Sequence, residues 1–170
     1  MGKKLGVISL GCSKNLVDTE MMIGILKAGG YEFIDELSDA EVIIVNTCTF
    51  IDSAKEESIE AILKAAAYKE SGKCEKLVVA GCLTQQYKKS LGKEIPEVDI
   101  FIGTDSWQHI LEAVNRSYSE ESGQVYIIDT APCEHQELIP RQTLTPNYTA
   151  FIKIAEGCSN GCTFCYIPYV

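Results

Sequence analysis

Residues 41–72 read EVIIVNTCTFIDSAKEESIEAILKAAAYKESG, and this stretch decides the fold. Its first six residues, Glu41 to Asn46, set Val42, Ile43, Ile44 and Val45 in series without alternation, the pattern of a strand buried on both faces. From Ser53 to Glu70 the period lengthens. Ile59, Ile62, Leu63 and Ala66 recur at helical spacing, Ser53-x-x-Glu56 has the form of a capping box, and Gly72 stops the helix. The same strand-then-helix unit recurs on either side. Leu5–Leu10 is a buried strand, and a helix follows from about Asn15 to Ala28 on Val17, Met21, Met22, Ile25 and Leu26, closed by Gly29-Gly30. Lys76–Ala80 is a third strand with a short helix, Thr84–Leu91, behind it. Ile100–Ile102 is a fourth, after which Asp105 or a neighbour caps a helix with Trp107, Ile110, Leu111 and Val114 on one face. Strands separated by helices imply right-handed crossovers and a parallel sheet covered on both faces. The class is α/β, a Rossmann-like or flavodoxin-like domain over residues 1–115.

Beyond Asn115 the texture changes. Ser117–Gly123 is a polar turn, Val125–Ile128 an extra strand, and Pro132, Pro140 and Pro146 punctuate the stretch that follows, so residues 116–147 read as an interdomain linker. Tyr148–Ile154 (YTAFIKI) alternates like a strand and runs into a group of cysteines. A lone strand and loop cannot bury themselves, so residues 148–170 are expected to open a second, truncated domain, and the chain to be an amino-terminal fragment.

The 170 residues are 46% apolar and 23% charged, proportions of a soluble globular chain. No uncharged apolar run approaches the ~20 residues of a membrane span, and none follows Met1 as a signal peptide would, so a cytoplasmic location without a membrane partner is expected. The net charge of −9, with nine carboxylates against one lysine between Tyr31 and Glu60, argues against direct nucleic-acid binding by this fragment. Eight cysteines in a chain without an export signal point to thiolate ligands rather than disulfides.

Three of them form Cys158-x3-Cys162-x2-Cys165 in the stretch EGCSNGCTFCYIP, where Gly157, Asn160 and Gly161 give the backbone freedom to wrap three sulfurs around one object. Haem attachment needs His directly after a CxxC, and Tyr166 is there; a zinc ribbon needs two CxxC pairs; a thioredoxin-like CxxC leaves Cys158 unexplained. Three thiolates are one short of the four that close an Fe₄S₄ cluster, which leaves one iron for a substrate or cofactor. This spacing, with aromatic Phe164 before the last cysteine, resembles the radical S-adenosylmethionine enzymes. In that superfamily the open iron chelates the methionine moiety and the aromatic position lies near the adenine.

Cys12, Cys48 and Cys82 each stand two residues after a strand. In a parallel sheet these strand ends share one edge, where open α/β sheets bind ligands, so a second three-sulfur metal site is expected there. The competing reading is that they are small buried hydrophobes. Cys74 and Cys133 fit neither group, and His109 and His135 stand apart from every cysteine, as structural or solvated residues do. Gly103-Thr104-Asp105 reads as a helix cap, and without a G-x-G-x-x-G or Walker motif the fold implies no nucleotide.

The stretches SLGCSKN, NTCTF, VAGCLTQ and KIAEGCSNGCTFC together resemble the methylthiotransferases of the radical S-adenosylmethionine superfamily. Within that family SLGCSKNLVDTE and NTCTFIDSAKEESIEAI are similar to the branch acting on ribosomal protein twelve of the small subunit. The resemblance implies an auxiliary Fe₄S₄ cluster on Cys12, Cys48 and Cys82, and a radical Fe₄S₄ cluster on Cys158, Cys162 and Cys165 at the start of a partial (βα) barrel. It implies Phe164 beside S-adenosylmethionine, with no catalytic side chain assigned. A methylthio group would be joined to the β-carbon of an aspartate in that ribosomal protein, with an electron donor and a sulfur source as further partners. Most of the barrel and the TRAM domain that complete the family are missing, so the fragment alone should not turn over. Three alternatives are a transfer-RNA methylthiotransferase, a non-catalytic iron–sulfur module with Cys74 or Cys133 as a fourth ligand, and a structural zinc domain. With both sites empty, the three strand-end cysteines should still share one rim, and the tail after Thr130 should be poorly anchored.

Overall fold

Six strands hydrogen-bond in the order β2-β1-β3-β4-β5-β6, all parallel. They are β1 (Lys4–Ser9), β2 (Glu32–Phe33), β3 (Val42–Thr47), β4 (Lys76–Gly81), β5 (Ile100–Ile102) and β6 (Val125–Ile127). The computed structural model describes residues 2–119, 123–128 and 139–167; Cys133 and His135 lie outside them. The strand order separates the two classes left open by the sequence: 2-1-3-4-5 is the flavodoxin-like arrangement, with its topological switch between β1 and β3.

The helices α1 (Ser13–Ala28) and α5 (Ile110–Ser119) cover one face of the sheet; α2 (Asp52–Ser71), α3 (Cys82–Tyr87) and α4 (Lys89–Glu94) cover the other. The pleat divides the strands between two cores. Leu5, Val42, Ile44, Val78, Ile100 and Ile102 pack on Met22, Ile23, Leu26 and Val114. Ile43, Val45, Leu77, Val79 and Phe101 pack on Ile62, Ala65, Leu83 and Ile95. Full burial of β3 on both faces is what its unbroken β-branched run prescribes.

Several local expectations are corrected. Ser53 does not cap α2: the helix enters from Ile51 without a side-chain bond, and Asp52 pairs instead with Lys55 at 3.0 Å. The buried face of α2 runs through Ser58, Ile62, Ala65 and Ala66, while Ile59 and Leu63 are exposed. Ser58 fixes that rotation, because its hydroxyl bonds both the amide (3.0 Å) and the carbonyl (2.9 Å) of Cys48. The single helix expected over Thr84–Leu91 is two, broken at Lys88, whose φ is +47°. The neighbour of Asp105, Ser106, stands at the N-cap of a 3₁₀ turn, Trp107–His109, which leads into α5. Val125 is buried in the core, so the sheet extends to β6, past the point where the composition changes.

The strand expected over Tyr148–Ile154 does not form. Ile152 and Ile154 are 82% and 96% exposed and find no neighbouring ladder, since the sheet ends at β2 and β6. The tail is anchored over residues 139–156. Residues 139–156 cross α1 and bury its polar side. Arg141 meets the buried Glu20 carboxylate (Nε 2.9 Å, Nη2 2.5 Å), which also accepts the Leu144 amide at 2.7 Å. Lys153 pairs with Asp18 and, at 2.7 Å, with Glu156. Two buried carboxylates on one helix hold this strap, which is why α1 buries polar as well as apolar residues.

Candidate metal centre at the strand ends

Register sets the three cysteines level. Ser9 pairs with Asn46 and Thr47 with Gly81, so β1, β3 and β4 finish together. Cys12 then stands at the start of α1, Cys48 directly follows β3, and Cys82 opens α3. All three line one cavity of about 260 Å³ at the switch point, with Lys14, Asn15, Asp18 and Thr49. Its remaining wall includes Glu156 and Tyr166, which flank Cys158 and Cys165.

Two residues make the close approach feasible. Gly11 has φ +87°, and a Cβ there would stand 2.7 Å from the Cys48 Cβ and 3.1 Å from its sulfur, so no side chain fits beside Cys48. Asn15 ties the loops together: its amide nitrogen donates to the carbonyls of Leu10 (3.2 Å) and Thr47 (2.8 Å), and Asn46 donates to its backbone carbonyl at 2.8 Å. The Cys82 thiol lies 3.9 Å from the Asn15 side-chain oxygen. Each strand end is thereby fastened to α1 or to its neighbour through one asparagine.

The electrostatics hold the Cys82 sulfur protonated. Burial pushes the Cys82 thiol up to about 12, and the neighbouring Cys48 and Cys12 sulfurs add to the shift. Burial also raises Asp18 to about 6, although Lys153 pulls it down. On Lys153 desolvation opposes the charge, but Asp18 and Glu156 outweigh it and raise its pKa. The strap's cation therefore stays charged beside the cavity.

The donor set fits an iron–sulfur group better than a single hard cation, because soft thiolates outnumber carboxylates on the wall. Thr49 adds a second observation: it is 1% exposed, and its hydroxyl is buried with no hydrogen-bond partner among the described residues. Among those residues no three His, Cys, Asp or Glu side chains converge as ligands of one metal ion.

The second triplet is placed differently. Cys158 and Cys162 are exposed, Cys165 half-buried, and Phe164 87% exposed. A turn bond from the Cys165 amide to the Cys162 carbonyl, 3.1 Å, lies within the loop. Cys74 is buried against the other core and bonds the Lys76 carbonyl at 3.5 Å, with burial raising its thiol to about 11. It belongs to neither triplet. His109 sits at a helix start beside Glu112, 3.4 Å away. Reading the sequence did not single out Asn15 or Thr49; their adjacency to Cys12 and Cys48 was the available signal.

A sequence profile of the Uncharacterized protein family UPF0004 matches residues 4–103, more than half of the chain. The chain belongs to that family. The UPF0004 match takes in β1 to β5 with Cys12, Cys48 and Cys82, and ends before the second triplet. Similar relatives carry the name ribosomal protein uS12 methylthiotransferase RimO. That of Pelotomaculum thermopropionicum is 48% identical over 170 residues, all of this chain and 38% of the relative. That of Natranaerobius thermophilus is 48% identical over 98% of this chain and 37% of its own length. That of Clostridioides difficile is 48% identical over 97% and 37%. The chain thus spans under two-fifths of the length of these relatives.

Proposed function

We propose that this chain is the cluster-bearing amino-terminal part of a methylthiotransferase that modifies the β-carbon of an aspartate in ribosomal protein uS12. The observation that carries the reading is the meeting of Cys12, Cys48 and Cys82, from three separate strand ends, at one cavity that Glu156 and Tyr166 also line. The relatives' names support the ribosomal-protein substrate over the transfer-RNA alternative. In this reading the first domain runs from β1 through β6, and residues 148–170 open the barrel.

When bound, two Fe₄S₄ clusters and S-adenosylmethionine supply the sulfur, the methyl group and the radical that takes hydrogen from the substrate carbon. The chain's residues hold and orient. Cys12, Cys48 and Cys82 would hold the auxiliary cluster; Cys158, Cys162 and Cys165 would hold the radical cluster; Phe164 would lie near the S-adenosylmethionine adenine. Gly11 and Asn15 keep the first three sulfurs at one level. Because burial raises the Cys82 thiol, ligation there would release its proton, and loading would strengthen with pH. The Arg141–Glu20 and Lys153–Asp18 pairs lay the strap so that the second triplet follows directly from the cavity wall. A reductant and a sulfur source complete the partners. Among the described residues no helix is long and apolar enough to cross a membrane.

The test is anaerobic reconstitution followed by metal, sulfide and absorption analysis. Iron and acid-labile sulfide in equal amounts, about four of each per loaded triplet, with a visible charge-transfer band, are expected. Zinc without sulfide, or no metal at all, would overturn the reading.

A further inference from the structure

Thr49 follows Cys48 immediately, and the backbone of that cysteine is clamped from both sides by the Ser58 hydroxyl. The position of Thr49 is therefore fixed by the core and not by the cavity's contents. It lines the cavity, is buried, and its hydroxyl has no partner. A buried hydroxyl with neither bond made is a rare arrangement, because nothing replaces the water it gave up. The other buried hydroxyls around it are used: Thr19 bonds the Asn15 carbonyl at 2.9 Å, Thr47 the Ala80 carbonyl at 2.6 Å and Thr84 the Val79 carbonyl at 3.2 Å. Thr49 alone of this set is left for whatever fills the space beside it.

The geometry points to Thr49 as a hydrogen-bond donor to an anionic sulfur of the group in the cavity, a positioning and tuning residue. The inference rests on the cluster reading of the same cavity. Its chemistry follows from the neighbours. A cavity ringed by three sulfur ligands presents sulfur to Thr49, and a hydroxyl donates readily to charged sulfur. Such a bond stabilises the more reduced, more negative state, so it raises the cluster's reduction potential.

Thr49→Val keeps the shape and removes the hydroxyl, and Thr49→Ser keeps the hydroxyl. Both are compared with the wild-type chain, first without metal and then after anaerobic reconstitution. Without metal, Thr49→Val should melt at a higher temperature than wild type, since it removes an unsatisfied buried group. With the cluster, the same variant should show a lower midpoint potential in an EPR-monitored redox titration. The expected size is a threefold to tenfold loss of reduced-state preference, roughly 30–60 mV for one electron. Thr49→Ser should restore the wild-type potential. Destabilisation of the metal-free Thr49→Val protein, or an unchanged potential with iron still bound, would overturn the inference while leaving the cluster reading intact. Failure of the wild type itself to bind iron and sulfide would instead overturn the cluster reading, and this inference with it.

Discussion

Gly11→Ala is the perturbation that most sharply tests how the strand-end site is built. Two separate costs arise at this position. Its φ of +87° lies in the left-handed region, which costs an alanine about 1–2 kcal/mol. The added Cβ would also stand 2.7 Å from the Cys48 Cβ and 3.1 Å from its sulfur, so overpacking adds about 1–3 kcal/mol. Gly30 separates the two terms. It has a similar φ of +93°, but nothing lies within 4 Å of its Cβ position, so Gly30→Ala carries the backbone cost alone. Urea unfolding of the metal-free chain, followed by circular dichroism, should place Gly30→Ala about 1–2 kcal/mol below wild type and Gly11→Ala about 2–5 kcal/mol below it. The clash also pushes Cys48 off the common level, because Ser58 holds its backbone and only the side chain can yield. Iron uptake after reconstitution should therefore fall in Gly11→Ala and stay at the wild-type level in Gly30→Ala. Equal stabilities and equal iron in the two variants would refute the close-approach argument.

Three further outcomes follow from the strap and the thiols. Arg141→Ala leaves the buried Glu20 carboxylate without its partner, a cost of about 3 kcal/mol that detachment of residues 139–156 would relieve. Tryptic cleavage at Lys153 should accelerate by about two orders of magnitude, and an unchanged cleavage rate would count against the docking. Asp18 has its pKa raised from 3.8 to about 6, so the folded chain holds that proton more tightly. Its stability contribution is fully present below about pH 4 and is lost as pH rises through 6. Between pH 4 and 7 the wild type should therefore lose about 2–3 kcal/mol relative to Asp18→Asn in paired urea titrations, and parallel curves would contradict the assignment. Alkylation of the metal-free chain at pH 8, read by peptide mass spectrometry, should label exposed Cys12 and spare Cys82, whose thiol is pushed up to about 12 by burial. Equal labelling of the two would remove the buried-thiol description.

What could be read from the sequence, and what could not, divides along physical lines. β3 was legible because a strand buried on both faces has no choice but unbroken apolar residues. The shared level of Cys12, Cys48 and Cys82 followed from parallel strands ending at one edge, a property of topology and not of side-chain detail. β2 escaped notice because two residues, Glu32 and Phe33, carry no period. The rotation of α2 was misjudged because Ile59 and Leu63 satisfy helical spacing as well as Ala65 does; a polar anchor, Ser58, decided between the two faces. Tyr148–Ile154 alternates like a strand, but alternation supplies no partner, and long-range ion pairs from Arg141 and Lys153 to α1 govern that segment instead. Those pairs join residues more than 100 positions apart, where no local pattern can signal them.

The central claim is that the cysteines at the ends of β1, β3 and β4 hold an iron–sulfur cluster. The most direct measurement is iron and acid-labile sulfide per chain after anaerobic reconstitution, comparing wild type with Cys12, Cys48 and Cys82 changed together to Ala. A loss of about four iron and four sulfide, with circular dichroism unchanged, is the predicted result. Full retention of iron in a folded triple variant would contradict it and reduce these three cysteines to packing residues at the edge of the sheet.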